Sequence, residues 1–409
     1  MSNTDNVTSF AVPIILLAFL FMPLSIYAQS GDQTVNRLID MGFENVRWSE
    51  DRAERVYVIE SIAYRLNGVG IGKAIDLIQE LGLPENKNCR LIVTDNNVPQ
   101  ISLFYHYVEN DSTQIVDRSD WKVTYDLGEN WKMIRKEKKH NSSLYKVDVV
   151  IYPELSIKNV IVTQIYQVLF NFSPAIEVSL WNGMKLTGQI VIPVYNDGYG
   201  DRAGKVRPGF LSISQNLRLP ANIFATASIG LFNSDRYGID LKLFRPFNNE
   251  HFSLEGRISY TGTGYWDGFN YEYGTKKRVT WSIGGNYYWA RYNTIASLKV
   301  EEYFLHEKAI RFEFIRNFRY ASIGFYAAKA DDKRSELNYG FRFQVALPPY
   351  KYKRNKYYPR VLPSKNMGMN YNASNERYFY RTFRTQPGDN IMQQNSFNPY
   401  YIKSELLNF

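Results

Sequence analysis

The chain has 409 residues and a formal charge of +9, with 16% aromatic residues, 32 Tyr and 25 Phe among them, against 44% hydrophobic residues in all. One cysteine excludes a disulfide framework, and four scattered histidines leave little from which to build a structural zinc site. So large a share of Tyr and Phe belongs to strands facing lipid rather than to packed helices.

In chain order, residues 10–22 form an apolar run interrupted by Pro13, and Ser25-Ile26-Tyr27-Ala28 ends in a small residue before Gln29. The run is too short to span a bilayer and reads as part of a secretory signal peptide over 1–28, although no Lys or Arg precedes it. Export would remove cytoplasmic nucleic acid from the partners, which leaves anionic lipid headgroups or an acidic polymer to meet the positive charge. That charge is uneven: residues 349–409 hold ten Lys and Arg against three Asp and Glu.

Residues 29–158 read as a small α/β domain. An amphipathic segment at 33–41 precedes extended stretches at 46–48 and 55–62. Ile71, Ala74, Ile75, Ile78 and Leu81 then share one helical face, and Gly82 with Pro84 ends the helix. Further strands are expected at 89–94, 101–108, 121–125 and 144–151. Gly68, Gly70 and Gly72 open the helix at a spacing that invites a phosphate-loop reading. The Walker pattern and the full dinucleotide fingerprint are absent, so a tight strand-to-helix turn accounts for them, and no cofactor is expected.

From 159 to 348 the helical period gives way to period-two alternation in about twelve stretches, beginning at 160–170, 176–181 and 184–194 and ending at 335–348. Most run ten to fifteen residues, long enough to cross a bilayer at a tilt. Ile239, Leu241 and Leu243 oppose Asp240 and Lys242; Leu254, Ile258 and Tyr260 oppose Glu255 and Arg257. Ala296, Leu298 and Val300 oppose Lys299 and Glu301; Ile310, Phe312 and Phe314 oppose Arg311 and Glu313; Phe341 and Phe343 oppose Arg342. The solvated face of a β-sandwich has the same pattern, but strand length and the aromatic residues near strand ends favour an outer-membrane wall. The predicted fold is therefore an all-β transmembrane antiparallel barrel of about twelve strands, ten to fourteen as the range, following an α+β periplasmic domain. Longer connections at one end, among them 195–208 and 267–276, and the tight Asn182-Gly183 turn at the other agree with that orientation.

The candidate lumen-lining residues are thus Asp240, Lys242, Glu255, Arg257, Lys299, Glu301, Arg311, Glu313 and Arg342. They can form a mutually paired lattice that stiffens the wall, a cationic passage for an acidic polymer, or both. The tail, 349–409, carries Tyr350-Lys351-Tyr352-Lys353-Arg354 and Arg377-Tyr378-Phe379-Tyr380-Arg381, basic patches interleaved with aromatics that suit sugar rings and acidic groups. It is expected in the periplasm or in the lumen.

Gly262-Thr263-Gly264-Tyr265-Trp266, Gly284-Gly285-Asn286-Tyr287-Tyr288, Ile192-Pro193-Val194-Tyr195 and the Pro-Pro-Tyr exit at 348–350 complete an arrangement that resembles the YjbH family of exopolysaccharide-associated outer-membrane proteins, which includes capsule proteins of the GfcD type. The resemblance spans about residues 31–360. It implies a part in assembling or exporting extracellular polysaccharide, with periplasmic export proteins as partners and no catalytic residues to carry over. Longer members look like two barrels, whereas this chain has room for one. An enzyme is not expected: His251 and Ser253 lack an orienting acid, and no Gly-x-Ser-x-Gly elbow exists. A generic porin and a structural envelope protein remain the alternatives.

Overall fold

The computed structural model describes residues 22–108, 116–159, 166–331, 337–347, 351–372, 382–389 and 396–408. The apolar run up to residue 21, the basic patch 377–381 and the exit at 348–350 lie outside them. Helix α1 (Met22–Asp40) runs through the expected cleavage point after Ala28. Its Gly31, Thr34, Val35 and Leu38 are buried at the spacing of one helical stripe. Strands β1 (Glu44–Glu50), β2 (Glu54–Glu60), β3 (Asn88–Asp95), β4 (Val98–Tyr105) and β5 (Lys122–Thr124) form a five-stranded sheet in that order. Helix α2 (Asn67–Leu81) is the crossover between the parallel pair β2 and β3 and buries Ile71, Ala74, Ile75 and Ile78 against the sheet; Leu81, expected on the same face, is only half-buried. A short helix, α3 (Trp131–Ile134), follows β5.

The second sheet has fourteen strands. Twelve run antiparallel in chain order: β6 (Val147–Asn159), β7 (Tyr166–Val178), β8 (Met184–Asp197), β9 (Arg207–Leu219), β10 (Ile223–Phe232), β11 (Arg236–Pro246), β12 (Phe252–Asp267), β13 (Asn270–Trp289), β14 (Thr294–Glu302), β15 (Lys308–Asn317), β16 (Ala321–Ala330) and β17 (Asn338–Ala346). The last two come from the tail: β18 (Arg360–Pro363) pairs parallel with β6, and β19 (Asn366–Asn372) pairs antiparallel with β17. Among the described residues no ladder joins β19 to β6, so the sheet is not a continuous ring. Its two edge strands are nevertheless separated by only Ser364 and Lys365. The Ser364 N–H donates to the Ile151 carbonyl at 2.8 Å, and β19 lies alongside β6. One stretch, 360–372, supplies both edges.

Several expected boundaries need correction. The sheet starts at Val147, not near 160, so the stretch expected at 144–151 belongs to the large sheet and not to the N-terminal one. The connection expected at 171–175 is the middle of β7, where Asn171 and Ser173 are buried and Pro174 stands opposite Ile151. Polar residues and a proline imitated a turn because the buried face of this sheet is itself polar. The long connection expected at 267–276 is a two-residue turn at Gly268 and Phe269, since β12 and β13, at 16 and 20 residues, continue as a projecting ribbon. The tail, expected in the periplasm or in the lumen, adds the two edge strands to the large sheet.

The distribution of side chains is inverted relative to a sandwich. Along β10 to β12, Ile229, Ile239, Leu243, Leu254 and Ile258 are exposed on one face, Ile258 by 52%, while Ser228, Asp240, Ser259 and Thr261 are buried on the other, Asp240 and Thr261 at 0%. Exposed Trp181, Phe247, Phe252, Trp289, Tyr292, Phe318 and Tyr320 cluster at one end of the strands, beside the turns after β7, β11, β13 and β15.

The N-terminal sheet sits at that same end. Asn96 accepts from the Gly183 N–H at 2.8 Å through its carbonyl and donates from Nδ2 to the Met184 carbonyl at 2.9 Å. Arg218 reaches the carbonyls of Pro99 and Gln100 at 3.2 and 3.1 Å, and Arg65 lies over the Tyr320 ring. The chain finally returns here: helix α4 (Pro399–Asn408) buries Ile402 and Leu406 in the core formed by α2 and the N-terminal sheet.

Candidate functional site

The inward face of the large sheet encloses a cavity of about 1250 Å³. Eight of the nine residues singled out by alternation border it, and Asp240 sits immediately behind, bonded to Arg257. Register explains the pairing. Asp240 on β11 stands opposite Ser259 on β12, and Arg257 two residues along β12 shares their face; Asp240 Oδ1 accepts from Arg257 Nε and from Ser259 Oγ, both at 2.6 Å. Glu255 on β12, Gly284 on β13 and Lys299 on β14 lie in one row, and Lys299 reaches across the glycine to pair with Glu255. A Cβ at Gly284 would come within 2.7 Å of Lys299 Cγ, so the missing side chain is what lets this ion pair span two strand spacings.

Glu313 on β15 lies between two guanidiniums, Arg311 at 2.8 Å and Arg342 at 3.2 Å, and all three are buried. Both arginines also lie over the Tyr326 ring. Glu301 is buried on the same wall. These contacts form a paired lattice. Lys242 differs, since its partner is on the tail and not on the wall.

Residues 382–389 cross the interior and touch five strands. The Ser212 hydroxyl on β9 donates to the Thr385 carbonyl at 3.0 Å, Gln386 donates to Ser214, and Arg384 lies 3.5 Å from Glu154 on β6. Phe383 stacks on Phe232 of β10 with ring centroids 5.6 Å apart, and Arg257 Nη1 donates to its carbonyl at 3.0 Å. Lys242 Nζ donates to Asp389 Oδ2 at 2.5 Å and to Thr385 Oγ1 at 3.1 Å. Sequence reasoning missed Thr385 and Asp389 because nothing in an irregular tail announces which wall residue it will meet. It also missed Lys185 and Glu177, paired at 3.0 Å between β8 and β7, although both fall within stretches expected as strands.

A second buried ionic group ties the sheet edge to the N-terminal unit. Arg354 and Arg360 from the tail both contact Glu44 of β1 and Asp148 of β6, at 2.7 to 3.3 Å.

Other chemistry suggested by sequence finds ordinary occupants. The Gly68 N–H at the start of α2, where a bound phosphate would sit, donates to the Glu405 carboxylate of α4 at 2.7 Å. His251 Nδ1 donates to the Tyr288 carbonyl at 2.9 Å and its ring stacks on Tyr400, so it is not aligned with Ser253. Among the described residues no group of three His, Cys, Asp or Glu side chains is placed to hold a metal ion, and no helix is long and apolar enough to cross a membrane, which says nothing of strands.

Comparison with known proteins adds no relative: no family model matches this chain, and no curated protein matches it.

Proposed function

We propose that this chain is an outer-membrane β-barrel protein that takes part, without catalysis, in the assembly or export of an extracellular polysaccharide. The observation that carries the membrane reading is the inversion of the sheet. Each large aliphatic side chain left in water forgoes about 1.5–3 kcal/mol, and a whole face of them running along successive strands is what a lipid-covered sheet presents. Strands of nine or ten residues, rising about 3.3 Å each and tilted, fit a hydrocarbon band about 25 Å tall. The ring of Trp, Phe and Tyr at one end suits a headgroup boundary. Lipid leaves no solvent for open backbone edges, so 360–372 is read as the seam that closes the wall.

The polysaccharide role is supported by the family resemblance and by an interior that mixes fixed cations with aromatic rings. A porin is the competing reading. It is disfavoured by the tail segment across the interior and by the N-terminal sheet at one mouth, which in this reading faces the periplasm.

The test has two arms. Membrane fractionation with heat-modifiable gel migration should place the protein in the outer membrane, and recovery as a soluble species would end the reading. Deletion in the source bacterium should reduce capsule or matrix; unchanged polysaccharide with altered small-solute uptake would favour the porin.

A further inference from the structure

The nine wall residues predicted from alternation comprise five cations and four anions. Asp389 from the tail brings the count of negative groups to five and does so at Lys242, the one of these cations whose ion pair lies off the wall. The pairing is constructed in detail. Asp389 Oδ2 accepts from Lys242 Nζ at 2.5 Å and from Thr385 Oγ1 at 2.9 Å, while the backbone N–H of Thr385 adds a contact at 3.3 Å. Beside it, Arg257 lies over the Phe383 ring at 4.1 Å and gives Nη1 to the Phe383 carbonyl. Its Nη2 is buried and has no hydrogen-bond partner among the described residues. A buried guanidinium N–H left unpaired costs free energy that an arriving acceptor would recover.

We propose that Lys242 and Arg257 form a carboxylate-binding site in the lumen, that Asp389 holds its Lys242 end as an internal surrogate, and that its external ligand is a carboxylate-bearing sugar polymer of the uronate type, which takes Lys242 and the spare Arg257 donor by displacing residues 382–389. This rests on the membrane-barrel reading and names the substrate class for the same interior. A sugar acid presents the same two-oxygen acceptor as Asp389, together with a pyranose face suited to the Phe232 and Phe383 rings now stacked on each other. A neutral polymer offers nothing to replace the Lys242 to Asp389 contact, so it leaves the tail in place. The surrogate lowers apparent affinity by the fraction of molecules in which the site is free.

The test uses the full chain in detergent micelles, first passed for heat-modifiable migration, and measures binding of oligogalacturonate, monomeric galacturonate and a neutral maltooligosaccharide by calorimetry. Wild type should bind the oligogalacturonate weakly. Asp389→Asn should bind it on the order of tenfold more tightly, since one charge-assisted hydrogen bond of the surrogate is gone. Lys242→Met in the Asp389→Asn background should lose that gain. Monomer binding as tight as oligomer would identify a small-acid site and overturn the polymer assignment. Equal affinity of wild type and Asp389→Asn, or equal binding of the neutral sugar, would overturn the proposal while leaving the barrel intact. Failure of heat-modifiable migration would instead count against the barrel reading.

Discussion

Arg360 and Asp148 face each other in the parallel ladder between β18 and β6 and also form a fork-to-fork ion pair, with Nε to Oδ1 and Nη2 to Oδ2 both at 2.9 Å. Arg354 meets the same carboxylate at 2.8 Å, so Asp148 and Glu44 together balance two guanidiniums at the place where the sheet's two edges adjoin. Removing the Asp148 charge leaves Glu44 alone to face both. Asp148→Asn is expected to lower stability by about 3 kcal/mol, in the range for breaking a buried pair. Urea titration in micelles checks this, and a midpoint equal to that of wild type would remove the edge from any stabilising role.

The outward face supplies a test with opposite signs for the two environments. Leu298 is 56% exposed in the middle of β14. If lipid covers it, Leu298→Arg costs about 2–4 kcal/mol and reduces insertion into vesicles. If water covers it, the same change is neutral and improves solubility.

Gly284 lets Lys299 cross to Glu255. Gly284→Val places a branched side chain where Lys299 Cγ now lies and is expected to break the pair, leaving two half-buried charges and a cost of about 3 kcal/mol. The double change with Lys299→Met should recover part of the loss, measured as coupling in a double-mutant cycle. Additive effects would show that the pair and the glycine act separately.

Glu60 gives the N-terminal sheet a pH dependence. Burial, reinforced by the nearby Asp95 and Glu44 charges, pushes its carboxyl up from 4.5 to about 7, against hydrogen bonds from Asn97 and Asn45. Because the folded chain holds this proton more tightly than the unfolded chain, the contribution of Glu60 to stability is fully present below pH 4.5 and is lost as pH rises through 7, by about 3 kcal/mol at most. Glu405 and Glu250 are raised by burial and act with the same sign. Glu50 and Asp51 are held low by their partners and are ionised throughout this window. Melting between pH 5 and pH 8 should therefore show a decline that Glu60→Gln flattens. A decline of equal size in the variant would assign it to other groups.

Alternation was legible because a two-faced sheet must repeat every second residue, whatever covers each face. Ile239 and Asp240, or Leu298 and Lys299, declare their opposite sides without reference to any partner. The face of α2 was legible for the same reason with a different period. Boundaries failed where polarity was read as solvent exposure: Asn171 and Ser173 are polar yet buried on the inward face of the sheet, and the strand simply continues through them.

The local sequence, then, determined the β-rich second half, the two faces of its strands and the helical stripe of α2, since each depends only on spacing along the chain. Tertiary structure alone decided that residues 360–372 serve both edges of the sheet, that Asp389 meets Lys242, and that α4 returns to the core of the N-terminal sheet. Those contacts join positions tens to hundreds of residues apart, where the free energy depends on how the whole wall curves and not on any pattern a short segment can carry.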